Sequence, residues 1–333
     1  MIWKQEIKKL IQHPIMWCLL IFFMIWNGFL IWENIGDIFL EVRMTHQEIL
    51  YGKIDSNFYQ ESLHRYDTLD MTDIKEIKQE MYQYYPTGSY QKFIDKNYEK
   101  LNARIDEIVT NKEAEDFGYI GVVYRLHNKL YVKILRWVFL EMGIFIVFAV
   151  LFLMDYERIQ KTTSLVYTSY MGRKIQCIKW TIGILTGLGF GGLLLSLTLG
   201  VWFCFIPYKG FWNTSISSAL LTEPRGILLY PFITFHKMTI AEYLLATIFI
   251  GIFLVIIVGI AVGVMQLFLN NSYLSLICMI VFLMLGLYIS GYSTKTWLDI
   301  VFSWNPADFW DQVMPIDKVF HDHLTHLLPA GKS

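Results

Sequence analysis

Residues 180–208 have the sequence "WTIGILTGLGFGGLLLSLTLGVWFCFIPY", which contains no Asp, Glu, Lys, Arg or His. The hydrocarbon core of a bilayer is about 30 Å thick, and a helix needs about 20 apolar residues to cross it. The stretch exceeds that length and carries no charge that would be costly in lipid. It therefore predicts a membrane-spanning helix and places the chain among integral membrane proteins.

The overall composition points to the same class. Of the 333 residues, 55% are hydrophobic and 17% are charged, whereas about 25% are charged in ordinary soluble domains. The net charge of −1 provides no field that would attract nucleic acid, so no nucleic-acid partner is predicted. The four cysteines lie outside the large polar segment and have no metal-ligand spacing, so neither a disulfide framework nor a metal site is predicted.

Four further stretches also predict spans. Their boundaries are 15–33, 136–154, 243–268 and 274–292. The last two come from one charge-free run, which the polar cluster "LNNSY" at 269–273 should divide. With 180–208 as the third span, the predicted fold is an all-α polytopic membrane protein with about five transmembrane helices.

The N-terminal segment 1–14 predicts an amphipathic elbow helix. Its apolar side chains share one helical face and its basic side chains share the other. The apolar set is Ile2, Trp3, Ile7, Leu10 and Ile11, and the basic set is Lys4, Lys8 and Lys9. Such a helix lies in the headgroup plane. Two roles stay open: a positive flank that only sets orientation, or a surface helix that packs against the rest of the fold.

The polar segment 34–135 predicts a helical extracytoplasmic domain between the first two spans. Helical spacing of apolar residues covers 70–85 and 89–111, and Pro86 and Gly88 mark a turn between them. The segment is rich in aromatic residues that either line a ligand surface or belong to the core or the bilayer boundary. They are Tyr82, Tyr84, Tyr85, Tyr90, Phe93 and Tyr98.

Orientation follows the lysine and arginine residues of short loops. The first 14 residues contain three lysines and the 155–179 loop contains five basic residues. Both are therefore predicted to be cytoplasmic. The polar segment 34–135, the 209–242 loop and the 293–333 C-terminal segment are then predicted to lie outside.

Motifs for catalysis are missing from the sequence. It contains neither HExxH nor GxSxG, and Gly331-Lys332-Ser333 lacks the P-loop glycine, since His326 stands in its place. The chain is therefore predicted to be neither an enzyme nor an ATP-binding subunit. The stretch "HDHLTH" at 321–326 could ligate a metal through its imidazoles, but a solvated tail is the favoured interpretation.

Two intramembrane features are candidates for function or packing. Glu141 is the only acidic residue well inside a predicted span, which makes it an intramembrane polar candidate. It lies four residues past Trp137, so a side chain that reaches water at the membrane surface is the structural alternative. The Gly183-xxx-Gly187 pair would permit close contact between helices.

The order of these parts resembles the permease subunit of a bacterial ABC transporter of the ABC-2 type, over residues 1–292. An elbow helix, a first span and an outer insertion are followed by a second span and the loop "DYERIQKTTSLVYTSYMGRKIQCIKW". In that family the loop begins with acidic residues and ends with a small residue, an arginine and a lysine. The matching residues here are Asp155, Glu157, Gly172, Arg173 and Lys179.

The resemblance implies that the 155–179 loop is a coupling helix that docks on a nucleotide-binding ATPase subunit. The residues expected at that contact are Asp155, Glu157, Arg158, Gly172, Arg173, Lys174 and Lys179. It also implies a second permease copy or a related permease, a lipid environment, and ATP and magnesium on the partner subunit, with no cofactor on this chain. The location implied is the bacterial cytoplasmic membrane, multi-pass, with a cytoplasmic N-terminus.

The function expected on this basis is ATP-driven export or removal of an amphipathic substrate, a peptide antibiotic or a lipid, as in antibiotic resistance or immunity. The apolar and aromatic spans without charged relays favour such a substrate. The alternative is a membrane sensor, or a mechanotransmission or assembly component, with a ligand-binding outer domain.

The chain departs from the family pattern after residue 292. Members normally have six spans and a cytoplasmic C-terminus, whereas 293–333 resembles the outer connection that precedes a sixth span. A naturally shortened form and a truncated sequence both stay open as explanations.

Overall fold

The computed structural model describes residues 2–45, 89–113, 127, 129–162, 164, 168, 174–206, 208, 211–218, 222–225, 228–231 and 234–292. These residues are mostly helical. The helices are α1 Ile2–Ile11, α2 Pro14–Thr45, α3 Ser89–Thr110, α4 Arg136–Ile159, α5 Lys174–Phe205, α6 Ile240–Leu269 and α7 Ser272–Tyr292. A π-helical segment, Leu130–Leu135, leads into α4. The predicted helix at 70–85 lies outside the described residues.

Among the described residues, four helices are long and apolar enough to cross a membrane. They are Pro14–Gly36, Lys133–Ile159, Lys174–Phe205 and Ile240–Leu269. The predicted fifth span corresponds to α7, an apolar helix whose side chains are described as far as Met284. The chain is therefore a multi-pass membrane protein with at least four candidate spans, and the fifth stays a prediction.

A short antiparallel hairpin is an exception to the all-helical prediction. Its strands are β1 Thr222–Arg225 and β2 Leu228–Pro231, and Arg225 pairs with Leu228 across the turn. It lies within 209–242, which the sequence predicts as a loop. The two strands are only four residues each, too short for their alternation to be distinguished from a loop.

Local signals explain where α6 begins and where α7 follows it. The Thr239 hydroxyl accepts from the Glu242 backbone N at 3.3 Å, and the Glu242 carboxylate accepts from the Thr239 backbone N at 2.8 Å, which forms a capping box. The helix ends at Leu269, and the residue that follows, Asn270, has a left-handed φ of 49°. Asn271 then caps α7 by accepting from the Tyr273 backbone N at 3.1 Å. The predicted break at 269–273 is confirmed.

Helix α4 is the central helix of the described residues. Of the 18 consecutive residues that are most apolar in its span, 67% are buried, whereas the corresponding share is 33% in α2 and in α6. Exposed apolar side chains of α2, such as Ile25 and Trp32, suit contact with lipid instead. The other long helices are therefore arranged around α4.

Glycines bring α5 into close contact with α4. A Cβ added at Gly187 would lie 2.6 Å from the Ile146 Cα, and one added at Gly183 would lie 2.8 Å from the Val150 Cα. Residues four apart share a helix face, so these glycines form a continuous groove for the α4 backbone. The predicted role of the Gly183-xxx-Gly187 pair in close helix contact is confirmed.

The polar connections are divided between the two ends of the helix bundle. Lys9 Nζ of α1 lies 3.6 Å from Glu157 Oε1 near the end of α4. At the opposite end, Lys129 Nζ donates to the Asn34 carbonyl of α2 at 3.3 Å. Helix α1, the end of α4 and the start of α5 thus lie at the same end. Which end faces the cytoplasm stays a prediction.

An ion pair anchors α3 at the end of the bundle opposite to α1. Arg104 Nη1 and Nη2 donate to the two Glu113 carboxylate oxygens at 2.8 and 2.6 Å, and Ser215 Oγ donates to Glu113 at 2.9 Å. Burial alone would raise the pKa of Glu113, but the hydrogen bonds from Arg104 and Ser215 outweigh it and hold that pKa below its ordinary value. The pair fixes α3 to the segment that precedes α6.

We predict that Gly187→Ala destabilises the protein by about 1–3 kcal/mol, because the added methyl group would overlap the α4 backbone. Thermal unfolding in detergent micelles measures the effect. Gly189→Ala is the matched control, since nothing lies within 4 Å of a Cβ there. Equal unfolding temperatures for the two variants would contradict the close contact.

We predict that Arg104→Met destabilises the protein by about 3–5 kcal/mol, because Glu113 would keep a buried charge without its partner. The Arg104→Met/Glu113→Met double variant should lose less, since it leaves no unpaired charge. Chemical unfolding of the parent, the single variant and the double variant measures this. A double variant that is as unstable as the single one would show that packing, not charge, dominates.

The same pair gives a pH dependence with a defined sign. The pKa of Glu113 is lower in the folded protein than its ordinary value of 4.5. The stabilisation of the folded protein by the ionised Glu113 carboxylate is therefore complete above pH 4.5. It disappears as the pH falls through the pKa of Glu113 in the folded protein. Glu113→Gln should remove this acid-side loss of stability, which unfolding experiments across that pH range would detect.

Candidate functional site

The strongest candidate site is a set of buried and half-buried charges where α1, the end of α4 and the start of α5 meet. We call Glu6, Lys9, Glu157 and Lys179 the loop-end charge cluster. Lys179 is fully buried, donates to the Leu153 carbonyl at 3.1 Å and forms an ion pair with Glu157. Glu157 also faces Lys9 at 3.6 Å, and Lys9 binds Glu6 at 2.6 Å.

The cluster contains two acids and two bases, so it is electrically balanced. A buried charge is costly unless it is paired, and each member here lies beside a partner of opposite sign. The members come from α1, α4 and α5. The three helix ends are therefore joined by interactions that would be costly to break.

A second contact at this end includes the turn between α6 and α7. Arg158 Nε binds Asp155 Oδ1 at 2.9 Å, and an Nη of Arg158 donates to the Asn270 carbonyl. Ser272 Oγ of α7 donates to the Leu151 carbonyl of α4 at 3.4 Å. The end of α4 thus contacts α1, α5 and the turn between α6 and α7.

The residues predicted to couple to an ATPase lie in different environments, and Asp155 is buried beside Arg158. Glu157 and Lys179 are buried against each other, while the side chains of Arg158 and Lys174 are exposed. Gly172 and Arg173 lie outside the described residues. Since α5 begins at Lys174, six residues before the predicted span start at 180, the connection between the helices is shorter than 155–179. Coupling itself stays a prediction.

Glu141 lies in the interior of the bundle. It is 2% exposed, and Asn27 Nδ2 donates to its Oε2 at 2.7 Å. The same Asn27 nitrogen lies 3.3 Å from Thr198 Oγ1 of α5. The Glu141 side chain therefore does not reach the surface of the bundle. This differs from the alternative in which it reaches water at the membrane surface. Sequence analysis missed Asn27, although a lone amide in the apolar run 15–32 was an available signal.

A groove of about 850 Å³ runs along α4, between this helix and α7. Its walls are almost entirely apolar. They include Leu140, Ile144, Phe148, Leu276, Ile280 and Leu283. Arg136 stands at one end, and Asp155 and Arg158 stand at the other. This lining would suit a ligand that has an apolar body and polar groups at its ends.

An aromatic cluster closes the opposite end of the bundle. His127 Nδ1 lies 3.1 Å from Tyr208 Oη, which also accepts from Trp202 Nε1 at 3.3 Å. Burial lowers the pKa of His127 to about 3, so the imidazole is neutral. Tyr131 and Phe211 pack edge to face against the His127 ring. These buried rings pack on one another as the side chains of a protein core do.

The remaining sequence candidates form no further site within the part of the chain that the structure describes. No group of three or more His, Cys, Asp or Glu residues that could hold a metal occurs among the described residues, and "HDHLTH" lies outside them. Of the aromatic residues of 82–98, Tyr98 has a described side chain, and it is buried. The cysteines are free thiols.

No known protein family, characterised protein or solved structure matches this chain. The resemblance to an ABC-2 type permease therefore rests on the sequence features alone.

We predict that Lys179→Met destabilises the protein by about 3–5 kcal/mol, because it removes one partner of a buried ion pair. Lys174→Met, on the exposed surface of the same helix, is the control and should change stability by about 0.5 kcal/mol or less. Thermal unfolding in micelles compares them. If Lys179→Met/Glu157→Gln regains none of the loss, the attribution to charge pairing is wrong.

Proposed function

We propose that this chain is the membrane-spanning permease subunit of an ATP-driven transporter. In this proposal a nucleotide-binding ATPase subunit docks at the end of the bundle that carries the 155–179 connection, and ATP and magnesium bind to that partner. The loop-end charge cluster is the observation that carries the proposal. It joins α1, α4 and α5, so a force applied at this end reaches all three helices together.

The contact between α4 and α5 supports transmission into the membrane. The backbones approach so closely at Gly183 and Gly187 that sliding one helix past the other would create overlap. A displacement at the loop end therefore moves α4 and α5 as one body. The groove between α4 and α7 changes shape with it, because α4 forms one of its walls.

The lining of the groove supports an amphipathic substrate. Its apolar walls suit an acyl chain or the apolar face of a peptide, and its charged ends suit polar head groups. We propose export or removal of a peptide antibiotic or a lipid, with a role in resistance or immunity. The proposed location is the bacterial cytoplasmic membrane, with the N-terminus in the cytoplasm. A second permease copy or a related permease completes the transporter.

A second candidate function is a membrane sensor or mechanotransmission component. The anchor between α3 and Ser215 favours it, because Ser215 also pairs with Thr239, the residue that caps α6. A ligand that shifts α3 would then displace the start of α6. In this alternative the outer domain is the binding site and the spans carry a signal.

Purification of the tagged full chain from its native membrane tests the first proposal. We predict that a nucleotide-binding subunit copurifies and that Lys174→Glu reduces its recovery several-fold, because this exposed lysine borders the docking end. Arg173→Glu, chosen from the sequence, should act in the same direction. Lys96→Glu, an exposed lysine of α3 at the other end, should leave recovery unchanged.

The result separates the two candidate functions. Recovery of no ATPase from membranes that retain the intact chain would reject the transporter proposal. Equal recovery with Lys174→Glu and Lys96→Glu would reject docking at this end. Copurification of a different cytoplasmic partner would favour the sensor.

A further inference from the structure

The junction of α2, α4 and α5 contains two buried oxygen atoms that lack hydrogen-bond partners. Asn27 and Glu141 are 1% and 2% exposed, and Asn27 Oδ1 and Glu141 Oε1 have no partner among the described residues. The second polar atom of each side chain is hydrogen-bonded, since Asn27 Nδ2 donates to Glu141 Oε2 at 2.7 Å. Each unpaired atom is costly in the interior of a membrane protein.

The helices around this junction offer no cation that would balance an ionised Glu141. Residues 15–32 of α2 and 180–205 of α5 contain no Asp, Glu, Lys, Arg or His. On α4 the nearest basic residue is Arg136, more than one helical turn away. On α6 the one charged residue, Glu242, is engaged in the capping box. An ionised carboxylate would therefore be buried without compensation.

The two unpaired atoms have the same chemical character. An amide oxygen and an ionised carboxylate oxygen are both acceptors, so neither can satisfy the other. A single proton on Glu141 supplies the missing donor and removes the charge. Exchanging the amide nitrogen and oxygen of Asn27 would place two oxygens 2.7 Å apart, which again requires a proton between them.

We propose that Glu141 is an intramembrane proton-binding site. The protonated carboxyl group donates to the Asn27 amide oxygen while the Asn27 amide nitrogen donates to the carboxyl group, which forms a reciprocal pair. Thr198 of α5 lies beside the pair, 3.3 Å from the Asn27 nitrogen. The bound proton thus holds α2 against α4 and α5.

Loss of this proton would change the packing of the three helices. The ionised carboxylate would require water or a cation, which the junction can admit only if α2 separates from α4 and α5. The site therefore links proton access to the position of the first span. This inference does not depend on an ATPase partner, so it is independent of the proposed transport function.

The rival occupant is a sodium ion. A carboxylate, an amide oxygen and a hydroxyl are the oxygen ligands that hard cations prefer. The two occupants require different protonation states of Glu141, because a sodium ion would bind the ionised carboxylate whereas the proton makes it neutral. The experiment therefore needs one measurement of protonation and one of sodium dependence.

Infrared difference spectroscopy of the full chain in micelles measures protonation. Subtraction of the Glu141→Gln spectrum at about pH 7 should reveal the carbonyl band of a protonated carboxylic acid. In Asn27→Leu that band should shift, because its hydrogen-bond acceptor is lost. Carboxylate bands alone in the difference spectrum would overturn the proposal. If Glu141→Gln does not fold, the shift between the parent and Asn27→Leu carries the same test.

Unfolding experiments measure the ion dependence. Relative to Glu141→Gln, the unfolding equilibrium constant of the parent should rise about tenfold per pH unit above about pH 5, because the unfolded chain loses a proton that the folded chain retains. Replacing choline chloride with sodium chloride should change neither protein. A sodium-dependent stabilisation of the parent that is absent in Glu141→Gln would overturn the proton assignment.

Discussion

The backbone contact between α4 and α5 is the constraint on which the rest of this structure depends. Helices in lipid gain little from the hydrophobic effect, so close packing and polar contacts hold them together. Gly183, Gly187 and Gly191 provide such packing along one face of α5, against Val150, Ile146 and Met142 of α4. The antiparallel register follows from these pairs. It continues to Lys179, whose amino group reaches the Leu153 carbonyl at the end of α4.

That register places polar groups of α4 at two depths. In the first third of α4, Glu141 meets Asn27, with Thr198 of α5 alongside. At the loop end Glu157 meets Lys179 and Lys9. The first set is shielded from water and lacks a cation, whereas the second is electrically balanced. The same helix therefore carries a polar contact in the interior of the bundle and an ion-pair cluster at its end.

Several predictions from the sequence are confirmed because they depend on properties of neighbouring residues. Charge-free runs of sufficient length form helices, since a helix satisfies its own backbone groups in lipid. The cluster at 269–273 interrupts a run because Asn270 adopts the left-handed conformation. The helix predicted at 89–111 is found as α3, from Ser89 to Thr110. Helix α1 packs against the bundle through Leu10, whereas its position as an elbow in the headgroup plane stays a prediction.

The sequence alone determined the membrane class, the approximate spans and the helix break, because these follow from the local periodicity and charge of the chain. Only the tertiary structure decided the partners of Glu141 and Lys179. Asn27 precedes Glu141 by 114 positions, and Glu157 precedes Lys179 by 22. A buried charge or amide is satisfied by whichever group the packing brings near it. That choice depends on which helix faces meet, and here the glycine face of α5 sets it.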